Sequence, residues 1–152
     1  KMTTIVPDYP GIFNYYQPIL VRYADLDTLL HVNNVSILQY VENARTGYYK
    51  ATGIWDGQLR EGFGMVVASV KVDYLQIIHF FSSVRVGICV SKIGSKSLVF
   101  RFQVESEEGE AIYARGEVVM VSYDLIEDHS RLVPQEWREK LAAFEHNQEL
   151  LG

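Results

Sequence analysis

Residues 25–34 concentrate side chains that could carry out acyl-transfer chemistry. The segment holds two carboxylates, an imidazole and two amides, contributed by Asp25, Asp27, His31, Asn33 and Asn34. A carboxylate can attack a carbonyl carbon directly or activate a water molecule. Backbone N–H groups at the start of a helix lack intrahelical acceptors, and they would stabilise the oxyanion that forms during such an attack. Asp and Asn before a helix are also typical caps and turn formers, so their types alone leave a structural role open.

This segment connects a predicted strand to a predicted long helix. Residues 18–25 have the composition of a strand that ends in acidic, turn-forming residues. From Asn33 or Asn34 to about Ala51, apolar residues recur at steps of three and four, which predicts a helix of about five turns. An Asn directly before the helix suits its N-cap, and Gly53 stands where a C-terminal cap is expected.

After Gly64 the pattern changes to that of consecutive strands. Four apolar or alternating runs are separated by short turn signals and cover residues 65–74, 84–90, 98–104 and 112–123. A short terminal helix is predicted to begin near Pro134. The order predicts a single α+β domain over residues 1–152, with one helix against a five-stranded antiparallel sheet. The uncovered face and the sheet edges would need partners, so self-association is expected.

The overall composition excludes several classes of function. The chain has 152 residues, 48% of them hydrophobic, and its 14 Lys+Arg against 19 Asp+Glu give a net charge of −5. This balance disfavours a nucleic-acid or anionic-membrane partner, and no apolar run is long enough to span a bilayer. The single cysteine, Cys89, excludes an internal disulfide and lies in an apolar run typical of a buried position. The four histidines lack metal-ligand spacing, so we expect no metal site and a cytoplasmic protein.

The motif Asp25-Leu26-Asp27, three residues, then His31-Val32-Asn33-Asn34 resembles the signature of the hotdog-fold thioesterases. The nearest groups are the 4-hydroxybenzoyl-CoA thioesterase-like proteins and the acyl-acyl-carrier-protein thioesterases. The likeness covers roughly residues 17–125 and includes residues 40–45, 72–75, 94–98 and 116–121. It implies a hotdog fold, in which a long central helix is wrapped by a five-stranded antiparallel sheet. It also implies hydrolysis of an acyl-CoA or acyl-carrier-protein thioester to free acid and thiol, without a further cofactor. Because family sites lie between subunits, it implies a homodimer or homotetramer.

The resemblance assigns roles to individual residues of the motif. Asp27 matches the catalytic carboxylate, and whether it acts as nucleophile or general base stays open. His31 and Asn33 match the polar residues that accompany this carboxylate, and the backbone N–H of Asn34 matches an oxyanion donor. Lys96 matches a basic position that contacts coenzyme A phosphates in some members, although a solvated turn lysine explains it equally well.

Three departures from the family pattern bear on substrate and activity. Leu29 stands where the plant acyl-carrier-protein branch has a catalytic Asn, and Leu30 replaces a frequent Gly. The apolar segment Ile77–Ser82 replaces a Pro and a later Gly-Asp turn, and it suits either an oligomer contact or a wider acyl pocket. The leucines keep open an alternative function, a non-catalytic hotdog protein that binds acyl-CoA as a sensor or carrier. A hydratase is disfavoured because its Asp/Glu–His motif is missing from the sequence.

Overall fold

The computed structural model describes residues 13–58 and 63–152. Its helices and strands, in chain order, are β1 (Tyr16–Ile19), α1 (Asn34–Thr52), β2 (Phe63–Tyr74), β3 (Val84–Ile93), β4 (Ser97–Ser106), β5 (Ile112–Asp124), β6 (His129–Ser130) and α2 (Gln135–Glu145). The sheet is antiparallel in the order β1-β3-β4-β5-β2, and the short β6 pairs with β5. The predicted α+β class and the antiparallel sheet of five predicted strands are confirmed, although β1 is short, and β6 is an addition that the sequence pattern did not predict.

The central helix α1 has the predicted length and both predicted caps. The side chain of Asn33 accepts a hydrogen bond from the N–H of Val35 at 2.8 Å. At the other end Gly53 has a left-handed backbone, with φ of 82°. One side of the helix packs on β1, β3 and β4. It buries the side chains of Ile37, Val41, Ala44 and Tyr48 against inward-facing residues that include Val86, Ile88, Phe100 and Phe102.

Strand β2 forms one edge of the sheet and leaves apolar side chains in solvent. Within the described ranges it pairs with β5 alone, so its other edge has free backbone groups. Val67 and Val70 on this strand are 47% and 46% exposed. An edge of this kind is a template for pairing with another chain, and it fits the expected self-association.

The predicted first strand is shorter than its sequence pattern suggested. The strand covers Tyr16–Ile19, whereas Tyr23–Asp25 forms a turn of 3-10 helix. The strand prediction over residues 18–25 was therefore right for residues 18–19 and wrong for residues 20–25. The reason is that the carboxylate of Asp25 accepts a hydrogen bond from the backbone N–H of Arg22 at 2.9 Å, which turns the chain.

Two further expectations concern Cys89 and membrane spans. The Cys89 thiol is buried as predicted, and burial raises its pKa to about 12, so it is a poor nucleophile at neutral pH. No helix in the described part of the chain is both long and apolar enough to cross a membrane.

Candidate active site

A tight turn over residues 26–32 fixes the position of Asp27. The backbone N–H of Asp27 donates to the carbonyl of His31 at 2.8 Å, and its own carbonyl accepts from the N–H of Leu30 at 3.0 Å. Its side-chain Oδ1 accepts from the N–H groups of Leu29, at 2.9 Å, and His31, at 3.2 Å. Oδ2 accepts no hydrogen bond from any described residue. One carboxylate oxygen therefore orients the group, and the other is available for chemistry.

Asp27 lines a cavity of about 250 Å³ at the start of α1. The lining brings together the polar groups Asp27, His31 and Asn34 with the apolar side chains of Ile37, Tyr74, Leu75, Ile77 and Ile78. The apolar residues come from α1, from the end of β2 and from the loop that follows it. Gln76 adds a further polar group, and a concave site where apolar side chains meet convergent polar groups can hold a small molecule. Three of the predicted site residues thus meet in one cavity.

The first turn of α1 presents backbone N–H groups at this cavity. Asn34 is the first residue of the helix, so its N–H has no intrahelical acceptor, and no other described group accepts from it. Asn33 does not line the cavity, and its side chain is used as the helix cap. Its contribution is to fix the direction of the helix start, while Asn34 lines the cavity and its backbone N–H has no acceptor among the described groups.

The structure adds one residue to the site that the sequence did not indicate. The loop between β2 and β3 lies against the Asp27 turn, where the N–H of Val32 donates to the carbonyl of Ile78 at 2.9 Å. Next to this contact His31 and His79 form an isolated antiparallel bridge, and their rings meet edge to face with centroids 5.2 Å apart. His79 therefore supports the ring of His31. The pairing joins segments distant in sequence, and no local motif could have revealed it.

Asp25, the second carboxylate of the motif, has a structural role. It is 1% exposed, and it accepts hydrogen bonds from the Tyr40 hydroxyl at 2.7 Å and from the backbone and guanidinium of Arg22, each at 2.9 Å. Burial raises its pKa, but the bonds from Arg22 and Tyr40 outweigh this and hold the pKa below its usual value. Asp25 therefore ties the loop to α1 and has no oxygen free for catalysis.

Leu30, where the family often has Gly, is held in a left-handed conformation with φ of 61°. This conformation costs a non-glycine residue about 1–2 kcal/mol, which exceeds the entropic cost of Gly, about 0.5–1 kcal/mol. Leu30 is 59% exposed, so removing its side chain loses little burial. We expect Leu30→Gly to raise the free energy of unfolding by about 0.5–1 kcal/mol, measured by denaturant titration.

The neighbouring substitution Leu29→Gly provides the control for Leu30→Gly. Leu29 is also exposed, at 72%, but its φ is not positive. Gly at this position should therefore lower the stability. If both substitutions shift the unfolding midpoint in the same direction, the strain assigned to Leu30 does not exist.

Lys96 lies apart from the other predicted site residues. It occupies the turn between β3 and β4, is exposed, and places Nζ 3.4 Å from the hydroxyl of Ser130. It does not line the Asp27 cavity of the same chain, so its contact with coenzyme A stays a prediction. Within residues 13–58 and 63–152 we also find no cluster of three or more side chains suited to hold a metal ion.

Comparison with known proteins identifies the family. Residues 21–142 match the model of the thioesterase-like superfamily, so the chain belongs to that superfamily. A thioesterase from Thermus thermophilus, solved with coenzyme A and Zn, is 34% identical and superposes with a TM-score of 0.78 over 89% of this chain and 96% of that one. The PA5185 protein of Pseudomonas aeruginosa PAO1 is 30% identical, with a TM-score of 0.77 over 86% and 91% of the two chains. The hotdog fold implied by the motif is therefore confirmed.

A relative known from its sequence extends this comparison. The protein YsmA of Bacillus subtilis (strain 168) is 32% identical over 109 residues, which is 72% of each chain. The family and the fold together support thioester hydrolysis in general, whereas the acyl group and its carrier have to be argued from the site.

Proposed function

We propose that this protein hydrolyses acyl-CoA thioesters, with Asp27 as the catalytic carboxylate. The observation that carries the proposal is the cavity that brings Asp27 and the first residue of α1 together with apolar side chains such as Ile37, Ile77 and Ile78. A carboxylate beside free helix N–H groups supplies both the attacking group and the oxyanion donor that acyl transfer requires. The apolar side chains in the lining of the cavity suit the acyl group.

The reaction would proceed through attack at the thioester carbonyl carbon. Oδ2 of Asp27 either attacks this carbon itself, or removes a proton from a water molecule that attacks it. The carbonyl oxygen becomes negatively charged and is stabilised by the N–H of Asn34 and by the helix dipole. When the C–S bond breaks, coenzyme A leaves as its thiolate, which takes up the proton that Asp27 removed from water or, in the direct route, a proton from solvent. In the direct route, water then hydrolyses the acyl–Asp27 anhydride and frees the acid.

The other motif residues would hold this arrangement in place. The backbone of His31 donates to Oδ1 of Asp27, so it helps to set the direction in which Oδ2 points. Asn33 caps α1 and thereby fixes the N–H of Asn34. Coenzyme A is favoured over an acyl carrier protein as the carrier because the Thermus thermophilus relative was solved with coenzyme A.

We also propose that the active unit contains at least two chains. Exposed apolar residues line the Asp27 cavity or lie within two residues of its lining in sequence, namely Leu29, Leu30, Val35, Tyr74 and Ile77. A monomer would leave these side chains and the unpaired edge of β2 in water. A second chain on this surface would deepen the shallow cavity around the thioester.

A panel of acyl-CoA substrates tests hydrolysis against the non-catalytic alternative. Wild-type protein should release free thiol from acyl-CoAs of several chain lengths, in linear and aromatic series, with many turnovers per active site. The measurement is thiol release with a chromogenic thiol reagent, combined with a binding isotherm for each acyl-CoA. Tight stoichiometric binding without turnover across the whole panel would overturn the proposed hydrolysis and favour a sensor or carrier.

A further inference from the structure

A second cavity, of about 180 Å³, lies near the other end of α1. Its wall combines residues from α1, β2, β5 and the start of α2, among them Arg45, Tyr49, Trp55, Met65, Met120 and Trp137. None of these residues lines the Asp27 cavity. The wall is largely apolar, yet it contains a guanidinium and a phenol. Nothing in the proposed hydrolysis uses either group.

Arg45 is a buried cation with incomplete compensation. Its side chain is only 10% exposed, and it presents a planar guanidinium cation that can only donate hydrogen bonds. Its ion-pair partner in the described part of the chain is Glu42, 3.8 Å from Nη2, and that side chain is 66% exposed. Nε of Arg45 has no hydrogen-bond partner among the described residues. Burying a charge with so weak a counter-ion is costly, so an anion bound beside Arg45 would be stabilising.

Tyr49, one turn further along α1, provides a second donor without an acceptor. Its hydroxyl is buried and donates to no described group, and beside it lies the guanidinium of Arg45, which can only donate. Burial raises the pKa of this phenol to about 12, although the nearby charge of Arg45 opposes the rise. The hydroxyl therefore keeps its proton at neutral pH and can donate it. Arg45 Nε and the Tyr49 hydroxyl are therefore two buried donors on one helix face that lack an acceptor in the described structure.

We propose that this cavity binds a small carboxylic acid in its anionic form, with an apolar body of about one ring. A carboxylate matches the planar fork of an arginine and can accept from Nε and a terminal nitrogen together. Its second oxygen can also accept from Tyr49. The Trp and Met side chains would enclose the apolar body, and a cavity of about 150 Å³ is already large enough to hold benzene.

The protein carries its own reporter for this site. Its sequence contains two tryptophans, and both of them, Trp55 and Trp137, line the cavity. Cyclohexanecarboxylate is a suitable probe because it is an apolar ring with one carboxylate and is transparent where tryptophan is excited. We expect a saturable change of tryptophan fluorescence on titration with this probe. Cyclohexylmethanol, which has the same ring without the charge, should bind roughly 10-fold more weakly or worse, since charge-assisted hydrogen bonds are the stronger ones.

Three variants separate a ligand site from a structural role. Arg45→Gln should weaken probe binding about 10- to 100-fold. Lys50→Gln, which removes one positive charge from the exposed side of the same helix, should leave binding unchanged. Tyr49→Phe should weaken binding several-fold without lowering the unfolding midpoint, because the hydroxyl it removes donates to no acceptor in the described structure.

The outcomes that would overturn this site are distinct from failure of the proposed hydrolysis, because the readout is binding of a free acid. An unchanged fluorescence in wild type up to millimolar probe would show that no carboxylate site exists. Equal affinity for cyclohexanecarboxylate and cyclohexylmethanol would show that the site does not recognise a carboxylate. Equal affinity of wild type and Tyr49→Phe would show that the Tyr49 hydroxyl does not bind the ligand. Both results can be obtained even if Arg45→Gln fails to fold.

Discussion

Replacing Asp27 by Asn should lower kcat for acyl-CoA hydrolysis by about 10²- to 10⁴-fold, the range of a positioned acid–base group. The carboxamide oxygen of Asn can still accept hydrogen bonds from the N–H groups of Leu29 and His31, which are 2.9 and 3.2 Å from Oδ1 of Asp27. The turn should therefore stay folded. What is lost is the negative charge on the other oxygen, which attacks the carbonyl carbon or activates water.

The measurement is kcat and KM for the best substrate of the panel, with wild type and Asp27→Asn side by side. Asp128→Asn is the matched control, because Asp128 is exposed, lies outside the Asp27 cavity, and has a left-handed backbone that Asn tolerates well. We expect the control to keep wild-type kcat and KM. Equal kcat in wild type and Asp27→Asn would remove Asp27 from the mechanism, while an equal unfolding midpoint in the two proteins would exclude misfolding as the cause of a loss.

Local sequence signals were sufficient to predict α1 and the hairpins. The helical period, the Asn33 cap and Gly53 each act within a few residues, and the structure has all of them where they were predicted. The end of β1 was misjudged because two contacts of Asp25 were overlooked. The bond from the backbone N–H of Arg22 is local, whereas the Tyr40 hydroxyl, which also bonds to Asp25, is a partner that no pattern within residues 18–25 encodes.

The candidate site likewise has parts that follow from local sequence and parts that depend on tertiary contacts. Asp27 and Asn34 meet because a short turn leads directly into a helix, so their proximity follows from their spacing. The support that His79 gives to His31 requires the loop after β2 to fold back, which local patterns do not predict. Lys96 lies on a turn outside this cavity. Its predicted contact with coenzyme A therefore requires that the bound substrate extends to this turn or that Lys96 of a second chain approaches the site. The second cavity, lined by Arg45, was not predicted because the burial of a charged side chain depends on the tertiary structure.

Asp25→Asn should destabilise the fold without entering the chemistry. Asp25 is buried, and its carboxylate accepts from Arg22 and Tyr40. Asn keeps one acceptor oxygen but places an NH₂ group where the second oxygen receives a donor. Losing a hydrogen bond to a charged group costs about 1.5–3 kcal/mol, which we expect as the fall in free energy of unfolding at pH 7. Folded Asp25→Asn should still hydrolyse substrate, because the group does not line the Asp27 cavity.

The effect of this substitution should depend on pH with a definite sign. The folded pKa of Asp25 is lowered, so its carboxylate stabilises the fold fully above the unfolded value of about 3.9 and loses this contribution as the pH falls through the folded pKa. The difference in free energy of unfolding between wild type and Asp25→Asn should therefore be constant from pH 7 to about pH 5 and shrink toward pH 2. Asp124, whose pKa is also lowered by hydrogen bonds from backbone N–H groups, is present in both proteins and cancels in the difference. A difference that stays constant down to pH 2 would show that the ionised form of Asp25 does not hold the turn.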